Sequence, residues 1–296
     1  MPALRRRQES WRERGYAVIA ATLLLFDGLW LFGIYFSFSL SDLVLSAFVA
    51  CAYHAGIARW DDHSFAVAAA LFGVATAIFE FLTGGIPFGL ALLLGVVALD
   101  GPADQGSLLR RAFHGSLIFA LAIAVTFAIK LALVWLFVDP NVLGDFRSAL
   151  STRLGTSFID SLPQQEIAWL AAHGIDAASL DRHWSLALLY MVARLAYATF
   201  VIGFGSPVLG MIIMAAAVIA CAALLIRRMR AAHHAITRAR LLILFGSALV
   251  MPFWSVVFVN HTLLHAVWMV RPFAWFIALA GVLVWQPNED RTRTPL

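Results

Sequence analysis

The stretch GSLIFALAIAVTFAIKLALVWLFV, residues Gly115–Val138, decides the fold. It holds one charged side chain, Lys130, in a run longer than the ~20 residues a helix needs to cross a bilayer. Other apolar runs flank it on both sides, and the whole chain shares their character. Of 296 residues, 62% are hydrophobic and only 13% charged, with mean hydropathy +0.85. A soluble domain carries about 25% charged residues, so a soluble core with one anchor is excluded. The expected fold is all-α: a polytopic transmembrane helix bundle forming a single integral membrane domain over residues 1–296.

Apolar runs are expected at about Tyr16–Phe38, Leu43–Ala58, Phe65–Leu82, Phe88–Leu99, Gly115–Val138, Ser185–Gly203, Val208–Ile226, Leu241–Val259 and Trp268–Trp285. Gly84, Gly85 and Pro87 break the third from the fourth. The fourth is too short to cross unaided. A polar loop is expected over Asp100–His114. The one long polar segment, Asp139–Trp184, has a short amphipathic helix in its middle, Gln164–Ala172.

Positive charge sets orientation, because basic loops stay on the cytoplasmic side. Residues 1–15 carry Arg5, Arg6, Arg7, Arg12 and Arg14, and read as a retained cytoplasmic start. Arg59, the Arg110–Arg111 pair and the cluster from Arg227 to Arg240 should share that side. They can do so only if Ser185–Gly203 does not cross. Arg194 in the middle of that run agrees, since a lipid-facing Arg at a helix centre costs ~2.5–3.5 kcal/mol. The expected topology is therefore about eight spans, with nine as the alternative. Residues 139–184 form an outer-face loop with a flat or re-entrant amphipathic helix, and 286–296 a cytoplasmic tail.

The net charge of +4 is clustered, so it reports topology and not nucleic-acid binding. The two cysteines, Cys51 and Cys221, lie inside apolar runs, which argues against a disulfide framework. An Ala-, Leu- and Arg-rich chain with one Lys suggests a bacterial protein of the inner membrane.

The densest polar group in these surroundings is Asn260-His261-Thr262-Leu263-Leu264-His265, followed by Arg271. His261 and His265 are four apart and share a helix face. The helical zinc pattern needs a Glu directly after the first His and a third ligand, and here Thr262 follows. No cofactor is expected; a divalent metal is the lesser alternative. Asn, His and Arg also supply donors that match phosphate oxygens, or they stitch helices together. Glu80, Asp27 and Lys130 lie in or beside apolar runs. Pairings of Asp27 with Lys130, and of Glu80 with Arg271 or Lys130, are the structural readings.

Two stretches carry a family resemblance. Phe79-Glu80-Phe81-Leu82-Thr83-Gly84-Gly85-Ile86-Pro87 resembles an acidic-Phe-Leu-Thr…Pro element. Asn260–Arg271 resembles an Asn-His-Ser/Thr-x-x-His…Arg element. Both occur, in this order, in large bacterial multi-pass proteins similar to the GT-C superfamily of membrane glycosyltransferases, and the Phe36-Ser37-Phe38-Ser39 step is similar too. The resemblance implies a polyprenyl-phosphate-linked sugar donor used at the outer face. Glu80 would be the catalytic carboxylate, and Asn260, His261, His265 and Arg271 the substrate-binding groups. The chain departs from the pattern in its first outer loop, which is reduced to about Ser39–Asp42 and offers only Asp42. The similar proteins also carry further spans ahead of the matching part. The expected relation is an N-terminally truncated homologue, with a partner protein supplying the missing spans. Two rival readings are a non-catalytic lipid-binding or scaffold subunit of an envelope-glycan complex, and a small-solute transporter.

Overall fold

The computed structural model describes residues 2–24, 40–79, 84–154, 162–203, 207–264 and 274–285. Among them are thirteen α-helices and no strand. They are α1 Pro2–Thr22, α2 Leu40–Ala55, α3 Asp62–Phe79, α4 Gly85–Asp100, α5 Gln105–Phe137, α6 Val142–Leu154, α7 Gln164–Ala172, α8 Ala178–Arg182, α9 Trp184–Gly203, α10 Pro207–Ala231, α11 Ala235–Val257, α12 Val259–Leu264 and α13 Ala274–Trp285. Four are long and apolar enough to cross a membrane: α3, α5, α11 and the Ile212–Ala231 part of α10.

Local chemistry starts several of these helices. Asp61 precedes α3, and its carboxylate accepts from the Ser64 N–H at 2.7 Å. Asp104 does the same for Ser107 ahead of α5, at 2.8 Å. An Asp there satisfies one of the N–H groups that a helix start leaves without a partner. These bonds hold both carboxyls below their ordinary range; at Asp61 the Ser64 hydroxyl contributes most. The Asp104 cap also shortens the expected polar loop. Residues 105–114 belong to α5, and only 101–104 connect it to α4. The polar segment 139–184 is likewise mostly helical, and its amphipathic helix falls at Gln164–Ala172 as expected.

The chain divides into two compact units. Unit 1 holds Met1–Thr126, Ala215–Met251 and Arg271–Leu296; unit 2 holds Phe127–Met214 and Pro252–Val270.

At the centre of unit 1 lies α4, in contact with α1, α2, α3 and α13. Thirteen of its 16 residues are buried. A helix that is apolar all round belongs in an interior, which explains why this segment lacks the length of a lipid-facing span. Glycines let its neighbours close in. A methyl group added at Gly95 would sit 2.5 Å from the Trp275 ring. One added at Gly73 of α3 would sit 2.6 Å from the carbonyl oxygen of Phe119 in α5. Helices in apolar surroundings associate by such close packing, because lipid offers no hydrophobic drive between them. Stacked Phe48 and Phe72, with centroids 3.9 Å apart, fill the space beside them. The buried Trp275 keeps its N–H satisfied on Ser247 Oγ at 3.1 Å.

One end of unit 1 is polar, and arginines organise it. Arg12 pairs with Asp100 at 3.0 Å and donates to the Tyr53 carbonyl at 2.6 Å. The other Asp100 oxygen accepts from the Ile57 N–H at 2.9 Å. Arg111 donates to the carbonyls of Ile57 (2.8 Å) and Trp60 (2.9 Å) and pairs with Asp62 at 3.0 Å. Arg240 closes the end of α4, donating to the carbonyls of Ala98, Leu99 (3.1 Å) and Gly101 (3.1 Å). Those carbonyls lack helix partners and carry the negative end of the helix dipole, so a guanidinium satisfies both needs. The end of α13 joins this face: Trp11 donates to the Val282 carbonyl, Arg14 lies over Trp285, and Arg228 donates to the Val284 carbonyl. This polar end therefore gathers the starts of α3, α5 and α11, the N-terminal part of α1, and the ends of α2, α4, α10 and α13.

Candidate functional site

In unit 2, α11 runs through Pro252 to Val257, and the chain continues through a turn into α12. The Phe258 N–H bonds back to Trp254 at 2.9 Å and the Thr262 N–H to Phe258 at 2.8 Å, which carries helical geometry across the junction. On α12 three consecutive polar residues are buried. Asn260 is 2% exposed, His261 7% and Thr262 0%. This short helix packs against α6 and α9. Burying three adjacent polar side chains costs free energy unless each finds partners, so a bundle retains them for helix linkage or for a ligand.

The helix beneath them supplies charge. Arg194 of α9 pairs with Glu166 of α7 at 2.9 Å. The Tyr190 hydroxyl, one turn earlier on α9, donates to the other Glu166 oxygen at 2.8 Å. Glu166 thus accepts from two residues at i and i+4 of one helix, the spacing that places them on one face. The arrangement fixes the guanidinium with one Nη on the carboxylate. The second Nη of Arg194, the Trp254 Nε1 and the Thr262 Oγ1 are buried with no hydrogen-bond partner among the described residues.

The expected site residues are distributed as follows. Asn260 and His261 sit buried on α12. Glu80, His265 and Arg271 lie outside the described residues, as does Asp27 of the expected Asp27–Lys130 pair. Among the described residues, no three His, Cys, Asp or Glu side chains converge in the way a metal ion requires.

In the sequence Arg194 reads as a cost that keeps its helix out of lipid, and its partner does not show. The signal was present: Tyr190 and Arg194 are four apart on one helix, and Glu166 is the only acid on the amphipathic helix before it. What linear reading could not supply was the pairing of the two helices.

Chemically, the arrangement offers an amide, an imidazole, a hydroxyl and a guanidinium in one unit of an apolar protein. Such groups suit oxygen-rich ligands: phosphate for the cationic donors, sugar hydroxyls for the neutral ones. No known protein family, curated protein or solved structure matches this chain.

Proposed function

We propose that this chain is a multi-pass membrane protein that binds the headgroup of a polyprenyl-phosphate-linked sugar through α12. The observation that carries the proposal is the burial of Asn260, His261 and Thr262 on a short helix packed against the Arg194-bearing α9. Three polar residues in succession supply the donors and acceptors that a phosphate or sugar headgroup requires. The resemblance of Asn260–Arg271 and Phe79–Pro87 to GT-C elements adds the chemistry. In a transfer of that type the acceptor oxygen bonds to the anomeric carbon as the bond from that carbon to phosphate oxygen breaks. Glu80 would take the acceptor hydroxyl proton, and the phosphate would leave with the electron pair beside His261, His265 and Arg271.

Eight crossings and both termini on the cytoplasmic side belong to the same proposal. Their support is the shared polar end of unit 1. The chain leaves that end with α5 and returns to it with α10, so the segments between should cross an even number of times.

Native mass spectrometry of the purified protein tests the reading. A retained polyprenyl-phosphate lipid in the wild type, lost in His261→Ala, is the expected result. Only bulk phospholipid, unchanged in the variant, would refute it and favour the scaffold reading, in which α12 is a helix-linking element.

A further inference from the structure

Three arginines crowd the end of α10, and they are used differently. Arg228 reaches the Val284 carbonyl at 3.2 Å. Arg227 and Arg230, three residues apart and therefore neighbours on the helix surface, line one shallow, open recess along the exposed face of α10. The rest of its lining is apolar: Ala223, Ile226 and Ala231. Both arginines are exposed, and among the described residues no carboxylate forms an ion pair with either. The recess sits where the apolar Ile212–Ala231 stretch meets the polar end of unit 1.

We propose that this recess binds the phosphodiester of an anionic membrane phospholipid. Arg227 and Arg230 would hold the phosphate, and an acyl chain would lie along Ile226 and Ala223 toward the middle of α10. Three features support the assignment. Three guanidiniums within four residues repel one another, and an anion relieves that repulsion. Guanidinium forks match phosphate oxygens in pairs. Ile226 is 51% exposed beside the charges, so the floor suits a hydrocarbon chain and not a hydrated free ion. Basic residues at the cytoplasmic interface also meet the negative surface potential of that leaflet. The inference concerns unit 1 alone and stands apart from the headgroup reading of α12.

The full chain, purified in neutral detergent, is titrated with dioleoyl phosphatidylglycerol and with dioleoyl phosphatidylcholine, and bound lipid is counted by native mass spectrometry. Wild type should prefer the glycerol lipid. Arg227→Gln/Arg230→Gln should lose about thirtyfold in that affinity, the effect of removing two charges near the surface. Binding of the choline lipid and the melting temperature should not change, and Arg110→Gln, an exposed arginine at the same polar end, should bind as wild type. Equal loss in Arg110→Gln would reduce the effect to diffuse charge and overturn the site. Retained preference in the double variant would overturn it as well. Glycerol 3-phosphate competing as well as the lipid would show a soluble phosphate ligand instead. A rise in affinity on Glu289→Gln/Asp290→Asn would show that the tail of this chain competes for the recess, and would overturn the assignment to lipid.

Discussion

Adjacent arginines Arg110 and Arg111 both pair with Asp62, yet their removal should have very different consequences. Arg110 meets Asp62 at 3.1 Å with both side chains more than half exposed. An exposed pair of that kind is worth about 0–1 kcal/mol, and salt screens it. Arg111 is 7% exposed and donates to two backbone carbonyls as well as to Asp62. The Ile57 residue that supplies one of these carbonyls is fully buried. A hydrogen bond from a charged donor contributes about 1.5–3 kcal/mol, and a buried acceptor left alone costs about 1–3 kcal/mol. Trp60 is only partly buried, so water can take over its carbonyl. Arg111→Met, which keeps an apolar stem beside Phe65, should therefore cost about 2–4 kcal/mol. Arg110→Met should cost less than about 1 kcal/mol. Unfolding in mixed micelles with increasing sodium dodecyl sulfate, followed by tryptophan fluorescence, measures both. Repeating it at high salt should erase the Arg110 effect and leave most of that of Arg111. Equal losses for the two variants, or a larger one for Arg110, would refute the view that buried carbonyl capping holds this end of unit 1 together.

Other expectations follow from the same contacts. Gly73→Ala should destabilise by about 1–3 kcal/mol, because the new methyl meets the Phe119 backbone, which cannot rotate away; Gly144→Ala, with open space around it, serves as the control in the same unfolding assay. Arg194→Met should cost more than the double variant Arg194→Met/Glu166→Gln, since the single change leaves Glu166 half-buried without its cation; a strictly additive double-mutant cycle would contradict the pairing. The Asp61 and Asp104 caps should make stability depend on acid. Their carboxyls titrate lower folded than unfolded, so the contribution is complete above pH ~3.8 and lost as pH falls through the folded value. Melting curves of Asp61→Asn/Asp104→Asn between pH 6 and pH 2.5 should lack that part of the acid loss, and an unchanged acid profile would count against the caps.

The helices were legible in the sequence because their signals are local. A run such as Gly115–Val138 declares a membrane-length helix by its own composition, whereas the ten residues before it read as polar loop and yet belong to the same helix, which starts behind the Asp104 cap. The amphipathic Gln164–Ala172 helix could be located residue by residue for the same reason. Of the candidate site, the polar content of Asn260–Thr262 was legible, because such residues stand out against apolar neighbours. Their burial and their packing on α9 were not. Tertiary structure alone decided the partners of the charges. Arg240 caps carbonyls 142 residues away, and Arg194 meets a carboxylate on another helix. It also decided that α4 is an interior helix, since an apolar segment of 16 residues reads alike whether lipid or protein surrounds it. Length and hydropathy are properties of a stretch of chain. Which arginine is buried, and what it holds, depends on segments that only folding brings together.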